Sequence, residues 1–270
     1  MKYALLMLGC LVSFSAAAQT ACEVTLPPTA VSQGGMTYGN APKGSVVKLN
    51  DRVLTQSSDG AFVFGVARDA TGPLQLTVAP PCGPAKSQSI TVTPRAFPVE
   101  RVNGVPPRTA NPTGEIAKRI EREQALVTAV RTRNDDRTDY RQKFIWPVQG
   151  RISGRFGSSR SYNGSPGATH SGMDIAAGTG TPIKAPAAGV VTFADPSLYL
   201  TGGTVVLDHG QGISSNFLHM SRIDVNVGDI IGQGQVVGAV GATGRATGPH
   251  LHWGMNWFDT RIDPLLLLER

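Results

Sequence analysis

Beyond residue 145 the chain is divided into short apolar runs by glycine. Ile152–Phe156, Ile183–Ala185, Val190–Phe193, Thr204–Leu207, Ile213–Leu218, Val236–Val240 and Leu251–Trp257 are each too short for a stable helix, and no apolar spacing of about 3.6 residues links them. Short runs bounded by turn residues read as strands, and the 32 glycines of the 270-residue chain supply the turns. Roughly 120 residues patterned this way bury an adequate core as sheet on sheet, without a helix layer. The stretch 146–270 is therefore expected to be an all-β domain.

The first half of the chain is organised differently. Residues 1–18, MKYALLMLGCLVSFSAAA, have one lysine, an apolar run and small residues in an Ala-x-Ala pattern. They read as a signal peptide, too short to span a membrane, and the chain is expected to be exported, to a periplasmic or extracellular place, without a transmembrane anchor. Its removal takes away Lys2 and lowers the net charge from +6 to +5. A moderately basic exported protein suits anionic surroundings such as cell-wall polymers, and the scattered basic residues with no aromatic platform argue against nucleic acid. Cys22 and Cys82 are then the remaining cysteines, an even pair that predicts one disulfide. Between them Val47 and Leu49, Phe62, Phe64 and Val66, Leu74, Leu76 and Val78, and Ile90 and Val92 alternate with polar or small residues, which predicts a small antiparallel β-sandwich over 22–95. Residues 96–145 read as a linker. It is proline-rich and extended up to Pro112, helical over about 114–133 where Ile116, Ile120, Val127 and Val130 follow helical spacing, and a solvated charged connection from Asn134 to Lys143.

The chemistry-bearing residues are few. In His250-Leu251-His252, within GATGRATGPHLHWG, alternation along a strand puts both imidazoles on one face, with Cα atoms roughly 6.5–7 Å apart. His170-Ser171-Gly172-Met173-Asp174 offers an imidazole and a carboxylate four positions apart. Fully extended, its ends stand about 13 Å apart, so both reach one ion only if the chain bends, and Gly172 permits that. Histidine nitrogens with one carboxylate oxygen are a common zinc set. If His170, Asp174, His250 and His252 all ligate, the site is filled and structural. If one histidine stays free, a position remains for water, and the absence of an HExxH helix leaves the proton acceptor to come from elsewhere. His209, in Asp208-His209-Gly210 after an apolar run, reads as structural or solvent-facing, in a turn.

HSGMD at 170–174, FLHM at 217–220 and TGPHLHWG at 247–254, in that order and with the glycine-rich stretches PIKAPAAGVVTFA and VGDIIGQGQVVGAVGATG between them, resemble the lysostaphin/LytM-type zinc endopeptidases of peptidase family M23. The resemblance covers about Trp146 to Leu268. It implies one zinc per chain held by His170, Asp174 and His252, with His219 and His250 as the catalytic histidines, and it suggests that Tyr162, in the glycine- and serine-rich loop before His170, helps to hold substrate. It further implies an endopeptidase acting on peptide cross-links of bacterial peptidoglycan. The D-alanyl to diaminopimelyl bond is favoured over glycyl bridges, because no separate wall-binding module is apparent. A non-hydrolytic LytM-type protein that binds wall or activates an amidase is the alternative. Oligomeric state is not legible.

Overall fold

The computed structural model describes residues 22–103, 112–162 and 164–268. The leader, 1–18, lies outside them. No helix among the described residues is long and apolar enough to cross a membrane.

The dominant element is an antiparallel sheet in the order Ile230–Ile231, Gly189–Leu198, Gly202–Gly210, Ile213–Met220, His250–Trp257, Gly172–Ala176 and Arg151–Gly154, with Thr260–Ile262 pairing on the end of His250–Trp257. Gly202–Gly210 is buried along its whole length, as expected of a central strand covered on both faces. His250–Trp257 alternates: Leu251, Trp253, Met255 and Trp257 enter the core, with Leu251, Trp253 and Met255 fully buried. His250, His252, Gly254 and Asn256 therefore share the opposite face. A smaller sheet of Pro182–Lys184, Val236–Ala239 and Arg222–Ile223 lies beside it in the chain's C-terminal half.

The N-terminal part has a five-stranded sheet, in the order Ala30–Ser32, Lys86–Thr93, Pro73–Ala79, Val46–Leu49 and Arg52–Leu54, and a two-stranded ribbon of Met36–Asn40 and Ala61–Gly65. It is not wholly antiparallel, since Ala30–Ser32 pairs in parallel with Lys86–Thr93. Phe62, Phe64, Leu76, Val78 and Ile90 are fully buried. Cys22 and Cys82 form a disulfide with Cα atoms 5.7 Å apart, across a sequence separation of 60. Closing a loop of that size stabilises by about 4 kcal/mol on the chain-entropy model.

The stretch read as a linker is packed rather than free. Val99–Val102 is a strand lying parallel to Ser159–Tyr162, and Arg95 pairs with Asp263 at 2.6 Å. The helix spans Gly114–Val130 and is fastened to the end of the strand Gly189–Leu198 and the residue after it: Arg119 Nη2 donates to the Ser197 carbonyl at 2.8 Å, and Tyr199 N donates to Glu123 Oε2 at 2.7 Å. The charged segment 134–143 clasps the two halves of the chain. Asn134 Nδ2 donates to Thr55 Oγ1, Asp136 accepts from Ser58 N, Arg141 pairs with Asp59, and the buried Tyr140 donates to Gln211 Oε1 at 2.6 Å. It looked solvated in the sequence because every one of these partners is remote along the chain. The two parts share one core, in which Gly65 lies so close to the C-terminal sheet that a methyl there would sit 2.9 Å from Trp257 Cβ.

Candidate functional site

The register of the main sheet assembles the site. Asp174 on Gly172–Ala176 stands opposite His252 on His250–Trp257, and Ala176 opposite His250. His170 precedes the strand and is tied by its backbone to the preceding turn: His170 N donates to Ser158 O, and Gly157 N donates to His170 O, both at 2.9 Å. The chain thus bends ahead of the strand. Gly172 is not the bend, since it lies in the strand and is absent from the positive-φ glycines among the described residues. Its role is room, because a Cβ there would meet the Trp253 carbonyl oxygen at 2.4 Å and His252 Nε2 at 2.8 Å.

His170 Nε2, Asp174 Oδ1 and His252 Nδ1 form a small triangle. His170 Nε2 is 3.0 Å from both other atoms, and His252 Nδ1 is 2.8 Å from Asp174 Oδ1. All three residues are buried, and their donor atoms can hold one metal ion. The Arg155 carbonyl, 2.8 Å from His170 Nδ1, can only accept, so the proton of neutral His170 sits on Nδ1 and its Nε2 lone pair faces the carboxylate. Two such acceptors buried against each other want a cation between them, and two imidazoles with one carboxylate suit zinc. Burial pushes the Asp174 carboxyl up, but the His170 and His252 imidazoles set against it outweigh this and hold the group well below the usual carboxylate range. Burial also lowers His252 to about 4, against the pull of Asp174, so its ring is neutral at neutral pH.

Two further histidines stand beside the triangle. His250 Nδ1 donates to the Gly248 carbonyl at 2.9 Å, which in the neutral ring puts the lone pair on Nε2, 3.8 Å from Asp174 Oδ1. His219 Nδ1 donates to the Thr243 carbonyl at 2.8 Å, and its ring centroid is 4.8 Å from that of His250 and 6.3 Å from that of His252. His219 has φ of +64°, a left-handed conformation costly for a side chain of this size, at an irregularity where Gly203 pairs with Met220 and Val205 with Phe217. An interrupted ladder of this kind re-aims a side chain, here onto the site face. Burial, then the charges of His250 and His252, lower His219 to about 3.

Around these lies a shell the sequence did not disclose. Arg160 Nη2 donates to Asp174 Oδ2 at 2.5 Å, and Arg160 Nε to Glu100 Oε2 at 3.3 Å. Glu100 Oε1 accepts from Ser158 Oγ at 2.7 Å and from Arg155 N at 3.0 Å, and the carbonyl of Arg155 is the one that orients His170. Gly154 completes the cradle: a Cβ there would fall 2.4 Å from Asp174 Oδ2. Glu100 comes from the supposed linker, so no spacing rule could have linked it to His170 or Asp174. His209 is not part of the group. Its Nδ1 donates to Ala188 O at 2.6 Å and its Nε2 lies 2.7 Å from Ser215 Oγ. The side chain of Tyr162 lies outside the described residues, so its predicted substrate contact has no structural counterpart here.

The histidines line a cleft of about 1380 Å³, bounded on other sides by the helix, Arg245 and the Asp259–Arg261 turn.

The family model for peptidase family M23 matches residues 168–264. A Pseudomonas aeruginosa crystal structure assigned to peptidase M23 is 32% identical, covers 88% of this chain and 94% of its own, and superposes with a TM-score of 0.66. The chain belongs to peptidase family M23. Two curated relatives match about a third of the chain. The DD-carboxypeptidase/endopeptidase Mpg of Neisseria meningitidis is 43% identical over 84 residues, 31% of this chain and 19% of that protein. The peptidoglycan DD-endopeptidase ShyA of Vibrio cholerae is 42% identical over 86 residues, 32% of this chain and 20% of that protein. The chain spans about one fifth of the length of these curated relatives.

Proposed function

We propose that the protein is an exported zinc metalloendopeptidase that hydrolyses peptide cross-links of bacterial peptidoglycan. The observation that carries this reading is the convergence of three donor atoms from His170, Asp174 and His252, with the imidazoles of His219 and His250 beside them, each held through Nδ1 by a backbone carbonyl. His170, Asp174 and His252 would hold the metal, which when bound supplies the Lewis acidity that lets water attack an amide at neutral pH. His250, whose Nε2 lies near the Asp174 oxygen, takes the proton of the attacking water and returns it to the leaving amine. His219 begins as an acceptor as well, because its Nδ1 proton is committed to Thr243 O. It donates to the developing oxyanion only after a proton drawn from solvent has reached Nε2, against the burial that lowers this group, and that proton returns to solvent when the oxyanion collapses. The Thr243 and Gly248 carbonyls fix the two rings, and the packed sheet keeps bulk water from their inner faces.

The D-alanyl to diaminopimelyl bond is the preferred substrate in this reading. Support comes from the two relatives, one named a DD-carboxypeptidase/endopeptidase and one a peptidoglycan DD-endopeptidase, which are 43% and 42% identical over 84 and 86 residues. The disulfide supports an oxidising compartment, in the periplasm or outside the cell, with peptidoglycan as partner. Domain limits of 22–95, 96–145 and 146–270 are part of the same proposal. The test is digestion of purified peptidoglycan by the zinc-loaded mature chain. Soluble muropeptides should be released, release should stop with a chelator, and one equivalent of zinc should restore it. Stoichiometric zinc with no release from any cross-linked substrate would favour the wall-binding or amidase-activating alternative.

A further inference from the structure

The helix Gly114–Val130 and the residue after it turn one face to the cleft. Ile120, Glu123, Gln124, Val127, Thr128 and Arg131 all line it, spaced three and four apart as a single helical face requires. The stripe ends in the Arg131 guanidinium. Its Nε is buried and has no hydrogen-bond partner.

Directly along the site strand from His252, the same face carries other donors without acceptors. Asn256 stands opposite Arg261 across the Thr260–Ile262 pairing, so Arg261 also belongs to the face that bears His250 and His252. Arg261 Nη1 donates to Asn256 Oδ1 at 2.6 Å, which turns the Asn256 amide nitrogen away from it. That Nδ2 is buried and unpartnered, and so is Asn216 Nδ2 on the neighbouring strand, where Asn216 stands opposite Gly254. Asn256 is fully buried and Asn216 is 3% exposed. Glycine at 254 leaves the room, because a Cβ there would meet Asn216 Nδ2 at 2.5 Å.

Buried polar groups in native proteins are nearly always satisfied; of the unsatisfied side-chain atoms, which also include Asp208 Oδ2, Ser214 Oγ and Asn256 Nδ2, those belonging to residues that line the cleft are the N–H donors of Arg131 and Asn216, and the Arg261 guanidinium lines it beside them. Asp259 lines it too, yet among the described residues neither Arg131 nor Arg261 has a carboxylate within 4.0 Å. A set made of donors and positive charge takes an anion, and planar guanidinium and amide groups suit a carboxylate. We propose that Arg131, Arg261 and Asn216, with Asn256 holding the Arg261 guanidinium from behind, form a carboxylate subsite in the cleft, which binds a free carboxylate of the substrate's stem peptide near the bond to be cut. From His252 to Asn256 the strand advances about 13 Å, some four residues of extended peptide, so the subsite reads a residue near the scissile bond and not the bond itself. Burial, then the charge of Arg131, depress Arg261 to about 9, a cost that a bound anion relieves. The inference rests on the peptidoglycan reading above and sharpens it, since stem peptides carry free carboxylates whereas a bridge of glycines has none along its length.

The test separates the two. Binding is measured calorimetrically on the zinc-loaded mature chain with an uncross-linked stem tetrapeptide, which offers no cross-link to cut, and with the same peptide after its carboxylates are converted to amides. The acid form is expected to bind at least about tenfold more tightly, and Arg131→Gln should reduce that preference to within about twofold while Arg131→Lys retains part of it. Because Arg131 makes no side-chain hydrogen bond through Nε, its replacement should leave the unfolding midpoint unchanged. Asn256→Ala, checked for folding in the same way, should weaken the acid form and not the amide. Equal affinity of the unaltered protein for the two peptides, or a preference that survives Arg131→Gln, overturns the subsite even if cross-links are hydrolysed. Acid-selective binding that depends on Arg131, in a protein that cuts no cross-link, would leave the subsite standing and remove the endopeptidase reading.

Discussion

Two buried histidine centres on one sheet differ in how their lone pairs are treated. At His209 every polar atom has a complement. The Nδ1 proton goes to Ala188 O, Nε2 can accept from Ser215 Oγ, and Phe144 packs edge-on against the ring at a centroid distance of 5.4 Å. At His170 the Nε2 lone pair is aimed at a carboxylate, so acceptor meets acceptor, and His252 Nδ1 crowds the same oxygen at 2.8 Å. Both arrangements are fully or almost fully buried. Burial of a histidine therefore marks nothing by itself, and the diagnostic is whether the protein alone satisfies it.

The largest effect should come from breaking the unsatisfied centre. His252→Ala should take bound zinc from one per chain to near zero and reduce hydrolysis by about 10³-fold or more, whereas His209→Ala should change stability and leave zinc content alone. His250→Ala sharpens the contrast within the cleft. It should keep zinc while kcat falls by about 10²–10⁴-fold, as expected for loss of a general base. Elemental analysis beside single-turnover kinetics checks both. Equal zinc loss in the His250 and His252 variants would mean a filled, four-ligand structural site.

The satisfied centre makes a smaller and opposite kind of prediction. Burial lowers His209 to about 4 in the folded chain, while the unfolded chain titrates near 6.5. Its folded value is depressed, so the unfolded state takes up the proton first as pH falls. The contribution is fully present above pH 6.5 and is lost down to about pH 4, amounting to about 3 kcal/mol. Urea unfolding of metal-free protein across this range should show about 3 kcal/mol more loss than His209→Gln, which keeps only the part due to the other buried histidines, His219 and His252. A variant with the same pH slope as the unaltered chain would place the titration elsewhere.

What the sequence disclosed follows from which interactions are local. Alternation in His250-Leu251-His252 put two imidazoles on one face, and short runs between glycines marked most strands of the main sheet, because both depend on periodicity over a few residues. His219 was visible by residue type only. Its positive φ arises from pairing with a strand some fifteen residues earlier, which no local pattern encodes. The bend in HSGMD was placed at Gly172, whereas the chain turns before the strand and Gly172 serves close approach to Trp253 and His252. Composition failed most plainly on either side of the helix: Val99–Val102 pairs with Ser159–Tyr162, and 134–143 joins the two halves, because charged and proline-rich segments resemble solvated chain until their distant partners are known.

Glu100 and Arg160 turn that last point into the smallest of the predicted effects. Glu100 reaches both ligands by separate routes: through Arg155, whose carbonyl orients His170, and through Arg160, which holds the outer oxygen of Asp174. Groups that orient ligands without touching the ion typically contribute about 10–100-fold in metal affinity. Arg160→Ala should weaken zinc binding within that range, and Glu100→Gln, which keeps shape but removes charge, should weaken it less. A competition titration against a chromophoric chelator reads this directly, independent of turnover. If Glu100 acts only by pinning the strand Val99–Val102, its replacement should lower the unfolding midpoint and leave zinc affinity unchanged. A loss of affinity at constant midpoint instead makes this upstream segment part of the metal centre, in the same relation to His170 and Asp174 that Ala188 and Ser215 have to His209.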